Sequence, residues 1–509
     1  MASYKFRKNS DIGKLDAETD SFLNSCFYKS DIYNGLLNFE KLDNNPDFTK
    51  RIIVGRTGSG KTALLKMLAN DELIKRYDKI EAENTIFEHI NNNVFISSLI
   101  EKGIDLRVFY KALWLHVLLV KVINHLHRTS YSSFFNNIKD KFKANEKFAL
   151  EYIERFKDNF FNDNVIRDIS NKMEADLSGK IGTDMASTKM GIKKESIENI
   201  QATTSSYVSK ELLRQQKEII KKINDEFGKK NQIRIVISID DLDKSWLSES
   251  SIRYSFINAL LDAFKELLDI SSVKVLISIR TDILMGIYST SLRQQEKDLS
   301  LIYNISWTKN EIRKILDYRI NFLVKNQYKS SENVLFGDIF NFNVLSERAD
   351  DYILNRTMLR PRDAINFVNL CLSECDDSVE LDENMVLKAE EKFYSHRKQA
   401  LIQEWKSIYP YINEYIDSLS LVPCRIFKVA DLKPAQDYLL NQKSASDNNK
   451  AHEDIMLSEG KLLNIWFIIG CIGIKKSPNL TIFSSFEKPE LDITDYNKEF
   501  EFHPLFFRN

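Results

Sequence analysis

Apolar positions follow two periods that alternate through the first three hundred residues of this 509-residue chain. Short runs that are apolar almost throughout, "RIIVG" (51–55), "TIFEHI" (85–90), "IRIVISI" (233–239), "VKVLISI" (273–279) and "LIYNISW" (301–307), are separated by stretches with helical spacing. Strands covered on both faces have no solvent side to mark, and parallel strands need helical crossovers between them. The pattern predicts a doubly wound α/β domain over 46–307, preceded by an N-terminal helical segment (1–45). A large helical insertion, about 100–228, interrupts it, and the small, polar, aperiodic stretch 174–206 within it reads as a loop.

From 308 to 395 the spacing is helical. Thr308 with Glu311 three residues on predicts a capping-box start to an amphipathic helix, and the region reads as a helical lid. The last region, 396–509, begins helical and breaks at "NQKSASDNNKAHED" (441–454). It resumes as a helix and ends in two or three short strands around "KSPN" (476–479). Helices followed by a small hairpin predict a winged-helix-like domain.

Composition narrows the function classes. Seventy-two basic residues nearly cancel seventy-three acidic ones, so the net charge gives no argument for nucleic acid or an anionic membrane. Five cysteines without paired CxxC spacing argue against a disulfide framework and a zinc site. Cys371 and Cys375, one helical turn apart beside leucines, read as core. No secretory leader and no membrane span are expected, which fits a cytoplasmic protein.

The chemistry concentrates in two stretches. "GRTGSGKT" (55–62) satisfies G-x-x-x-x-G-K-[ST] with "RIIV" before it and "ALLKML" after it, the strand-to-helix context that the motif requires. Gly55, Gly58 and Gly60 let successive backbone N–H groups of Arg56, Thr57, Ser59 and Ala63 turn toward a polyphosphate. Lys61 reaches its outer phosphates and the Thr62 hydroxyl binds Mg²⁺. "SIDDLDKSW" (238–246) then places carboxylates at a strand tip. Asp240 suits the magnesium, Asp241 suits activation of the attacking water, and Asp243, Lys244 and Trp246 are left for orienting or packing roles.

Arg280 ends the next aliphatic run and is open to two readings, a contact to the γ-phosphate or a surface pair with Asp282. "NRTMLRPRDAINFVN" (355–369) adds Arg356, Arg360 and Arg362, read as phosphate contacts from the lid, a finger acting on another subunit, or salt bridges.

Together "GRTGSGKTAL", "ISIDDLD" and "ISIRTDI" resemble the additional-strand class of P-loop NTPases, and within it the STAND and KAP branch related to AAA+ ATPases. The resemblance implies a core with the phosphate-loop strand inside the sheet, ATP and Mg²⁺ as ligands, and roles for Asp240, Asp241 and Arg280 in metal binding, hydrolysis and γ-phosphate sensing. "NISWTKNEIRKILDYRI", "RPRDAINFVN" and "FEFHPLFFRN" resemble bacterial ATPases of anti-phage defence loci. That implies a self-associating regulatory ATPase whose effector, a toxin or nuclease, is a separate protein. The alternative is a DNA-acting ATPase that reads through its winged helix. The third reading is a nucleotide-stabilised scaffold with little turnover.

Overall fold

The computed structural model describes residues 4–7, 9–39, 49–81, 94–127, 194–227, 234–242, 250–291, 293–329, 332–375, 380–443 and 459–507. By their contacts they form two units, one of Ser30–Val54 with Leu64–Tyr303 and one of Met1–Lys29, Gly55–Ala63 and Asn304–Asn509.

A central five-stranded parallel sheet organises the first unit. Its strands are β1 (Ile52–Gly55), β2 (Arg76–Glu81), β3 (Ile235–Asp240), β4 (Val273–Arg280) and β5 (Ile302–Asn304), in the order β2-β3-β4-β1-β5. β2 and β3 run in register from Arg76 opposite Ile235 to Glu81 opposite Asp240, and β3 and β4 from Ile235 opposite Val273 to Ile239 opposite Ile277. The strand leading into the glycine loop therefore lies inside the sheet, as expected. Every residue of β1 and β3 is buried, and all of β4 except Arg280, which is why these strands read as unbroken aliphatic runs.

β2 differs from expectation. The run "TIFEHI" lies outside the described residues, and the second strand is "RYDKIE" instead. Among the described residues it pairs on one side only, and Arg76, Asp78 and Lys79 are half-buried while Ile80 is buried at 2% exposure. A strand so mixed leaves almost no period-two signal.

Behind the sheet, helix Arg107–His127 buries Phe109, Trp114, Leu115 and Leu118 against helix Ser250–Ala263, and the Trp114 indole donates to the Phe256 carbonyl at 3.2 Å. The stretch expected to be loop at 174–206 is corrected in its last part, where Lys194–Val208 is a helix. Its buried face is thin and partly polar, with Thr204 and Val208 at 2% and 0% exposure. Gln201 ties it to Asp105 by two hydrogen bonds of 2.5 and 2.8 Å. Tertiary hydrogen bonds thus stabilise a helix whose composition argues for a loop.

In the second unit, helix Lys309–Tyr328 starts with the expected capping box: the Glu311 N–H donates to Thr308 Oγ1 at 3.3 Å and the Thr308 N–H to Glu311 Oε2 at 2.9 Å. Among the described residues the N-terminal stretch within this unit is helical only at Leu23–Cys26, and the expected helical segment 1–45 also holds the helix Asp31–Leu37, in the first unit. Much of the rest is a strap whose Phe6 and Ile12 are fully buried, pinned by Arg319, which donates to the Ile12 carbonyl at 2.7 Å and pairs with Asp20 at 2.6 Å. Helix Pro361–Ser373 packs on helix Glu383–Trp405, which runs unbroken past 395. The latter carries Glu404 at its far end. Cys371 and Cys375 are buried, as expected, and the five cysteines are free thiols.

The chain's last part combines helices Ile412–Asp417, Lys433–Lys443 and Glu459–Ile469 with a four-stranded antiparallel sheet. Its strands lie in the order Leu480–Phe483, Ile472–Ser477, Phe500–Phe502, Ile426–Phe427. The hairpin turns at Pro478 and Asn479, within the predicted "KSPN". The fourth strand comes from between helices Ile412–Asp417 and Lys433–Lys443 and was not legible as a two-residue segment.

Candidate functional site

β1 runs into the loop Arg56–Gly60, and Lys61 opens the helix Lys61–Ala69. Gly58 and Gly60 take φ of 79° and 96°, which their missing Cβ atoms permit. Gly55 has no such φ. It is needed for close approach instead, since a Cβ there would lie 2.4 Å from Ser59 Oγ.

The carbonyls from Gly55 to Ser59 all have partners. Lys61 Nζ donates to the Gly55 and Arg56 oxygens at 2.8 and 3.2 Å. Arg360 Nη1 donates to Thr57 O at 3.1 Å, the Arg362 N–H to Gly58 O at 3.3 Å, and the Trp307 indole to Ser59 O at 2.8 Å. A peptide whose carbonyl is tied on one side presents its N–H on the other; of these N–H groups, that of Thr57 lies 3.5 Å from Glu404 Oε1 and that of Ser59 donates to Arg56 O at 3.1 Å. The hydroxyls Thr57 Oγ1 and Ser59 Oγ are buried without a hydrogen-bond partner among the described residues. A donor-lined loop with orphaned hydroxyls suits a polyphosphate.

Arg360 does not stand free as a finger. It is 3% exposed, and beyond the Thr57 carbonyl its guanidinium lies 3.5 Å from Glu404. Burial, with Arg397 and Arg56 close by, pushes it down to about 9. The preceding Leu359 takes φ 45°, a strained left-handed turn at the entrance to helix Pro361–Ser373. Arg362 is exposed, packs its stem on Gly58 and donates to the Leu15 carbonyl at 3.2 Å. Arg356 pairs with Glu390 at 2.7 Å and Glu347 at 3.6 Å and lies over the Tyr352 ring, which is the salt-bridge alternative.

Among the strand tips, Asp240 is the last residue of β3 and 5% exposed. Asp241 follows with φ 59°, and its carboxylate lies 3.7 Å from Lys79 Nζ of β2. Arg280 ends β4 and forms a two-pronged pair with Asp282 at 2.9 and 2.8 Å, the second of its two readings. Asp243, Lys244 and Trp246 lie outside the described residues. Among those described, no three His, Cys, Asp or Glu side chains gather as a metal site. A magnesium ion carried in with phosphates takes few protein oxygens; the Asp240 carboxylate and the Thr62 hydroxyl, each in its own unit, are donors of that kind.

A buried parallel strand, a glycine loop with its carbonyls tied back, and a lysine opening the next helix are the phosphate-binding unit of a P-loop NTPase. The KAP family P-loop domain matches residues 44–305, just over half of the chain, and the chain belongs to that family. Residues 310–402 match the FunZ-associated C-terminal helical domain. No curated protein matches. Among solved structures the chain is similar to one from "Structure of Drosophila ORC bound to DNA", at 10% identity over 93% of this chain and 82% of that one, with a TM-score of 0.27.

Four residues at the site had no sequence signal: Lys79, Trp307, Glu404 and Arg397. Lys79 sits on the unpredicted edge strand. Trp307 and Glu404 reach the loop, and Arg397 reaches Glu404, through long-range contacts that the sequence does not display. Among the described residues no helix is long and apolar enough to cross a membrane.

Proposed function

We propose that this protein is a magnesium-dependent ATPase that works as a self-associating switch. The observation that carries it is the phosphate loop, with five carbonyls tied back and hydroxyls left over for a ligand. The loop N–H groups and Lys61 bind the phosphates, while Thr62 and Asp240 would hold a magnesium ion, which would supply charge neutralisation at the phosphate oxygens. Asp241 takes the proton as water attacks the γ-phosphorus; the bond to the bridging oxygen breaks, and ADP leaves with that electron pair. Arg280 serves the γ-phosphate if it exchanges its present partner Asp282 for it.

Phosphate release by wild type, Lys61→Ala and Asp241→Asn tests this. Turnover abolished by both substitutions, with nucleotide still bound by Asp241→Asn, is the expected result. A wild type that binds ATP and releases no phosphate would leave the scaffold reading in place.

The switch acts on a separate effector, a toxin or nuclease, within an anti-phage defence locus. This part rests on the resemblance of "RPRDAINFVN" and "FEFHPLFFRN". Phage plating on cells carrying the locus should lose protection on Lys61→Ala, and unchanged protection sinks the defence role. Sedimentation with and without a non-hydrolysable ATP analogue checks self-association. The C-terminal domain, winged-helix-like in this reading, serves docking rather than DNA. Among the described residues, Lys475 is engaged with Glu501, Lys488 with Asp492 and Asp495, and Lys498 with Asp495, which takes charge away from a phosphate-binding face.

A further inference from the structure

Glu404, 2% exposed near the end of helix Glu383–Trp405, divides its carboxylate between two groups of donors. Oε1 lies 3.3 Å from Arg56 Nε and 3.5 Å from the Thr57 N–H, both in the phosphate loop. Oε2 lies 3.2 Å from Arg397 Nη2 and 3.5 Å from Arg360 Nη1, at the lid helices. Arg397 also pairs with the buried Asp363 at 3.1 Å. Arg56 continues outward: its Nη2 donates to the Ile469 carbonyl at 2.8 Å, and its guanidinium lies 5.6 Å from the Trp405 ring. Three arginines thus meet two carboxylates, Glu404 and Asp363, so the cluster is one negative charge short.

We propose that Glu404 is a positioning residue for the phosphate loop, holding Arg56 and Thr57 on one oxygen and the lid arginines on the other. Triphosphate affinity then depends on a carboxylate 348 residues from the loop and on the packing of the C-terminal helices. The proposal rests on the nucleotide-binding reading above.

Chemistry makes the proposal sharp. A carboxylate accepts on both oxygens, whereas an amide of the same shape has one acceptor and one NH₂. Glu404→Gln must therefore set donor against donor on either the loop side or the lid side. The sign of the effect separates positioning from simple electrostatics. Removing a negative charge beside an anion site should tighten ATP binding by Coulomb attraction alone; displacing the loop should weaken it.

The test measures ATP affinity, KM, kcat and melting temperature without nucleotide for wild type, Lys61→Ala, Glu404→Gln, Arg56→Met and the double variant. Glu404→Gln should weaken ATP binding roughly tenfold or more, with KM raised and kcat at saturation largely kept. Arg56→Met should show the same loss of ATP binding, with KM raised and kcat at saturation largely kept, whatever its melting temperature without nucleotide. The double variant should be no weaker than the worse single one. Equal or tighter binding by Glu404→Gln overturns the proposal. If that variant does not fold, Arg56→Met decides, and binding within twofold of wild type overturns it. Should Lys61→Ala still lose nucleotide in that event, only the role of Glu404 has failed. If wild type and Lys61→Ala bind alike, the nucleotide reading itself is wrong.

Discussion

At Asp241 the backbone turns to φ 59°, a conformation that Asn and Asp tolerate better than other side-chain-bearing residues. The strain sits at the residue proposed to receive the proton of the attacking water. Asp241→Asn should leave stability within about 0.5 kcal/mol, because asparagine keeps the left-handed preference. Asp241→Ala should cost about 1 kcal/mol. Both should stop turnover, and denaturant melts beside phosphate-release assays separate the two effects. His503 shows the opposite kind of burial. Its ring nitrogen Nδ1 accepts from the Leu505 N–H at 3.3 Å, and burial pushes the imidazole down to about 4, against the lifting effect of Asp363. The unfolded chain takes up the proton first, near 6.5. Stability is therefore lost as pH falls from about 6.5 to about 4, by at most about 3 kcal/mol, and the loss levels off below. Melting curves across that range should flatten in His503→Asn, whose carbonyl replaces the acceptor.

At the scale of elements, the features with a local cause were legible. The capping box at Thr308 and the buried runs of β1, β3 and β4 follow from chemistry within a few residues. β2 and helix Lys194–Val208 were missed because their stability comes from neighbours: one pairs on a single side, and the other is tied by Gln201 to Asp105. Gly470, after helix Glu459–Ile469, belongs to this scale too. It takes φ 86°, and a Cβ there would lie 2.7 Å from Met358 Cε and 2.9 Å from Arg56 Nη1. Gly470→Ala should lower stability by about 1 to 2 kcal/mol and raise the KM for ATP by pushing Arg56 off the Ile469 carbonyl. A thermal melt together with a KM measurement checks both, and a fall in stability with unchanged KM counts against the link between them.

For the whole molecule, a ligand that binds only the folded chain adds stability by mass action, about 2.7 kcal/mol at a hundredfold excess over Kd. ATP with Mg²⁺ should therefore raise the melting temperature of wild type and Glu404→Asp, less so of Glu404→Gln, and not of Lys61→Ala. The sequence by itself determined the α/β core, the phosphate loop and the acidic strand tip. A glycine-rich turn between a buried strand and a helix has few solutions, and each needs particular residues at set spacing. Tertiary structure alone decided what holds that loop. Trp307, Arg360 and Glu404 meet it, with Arg397 holding Glu404, through contacts between residues far apart in the chain, and such pairings obey no period that a sequence could display.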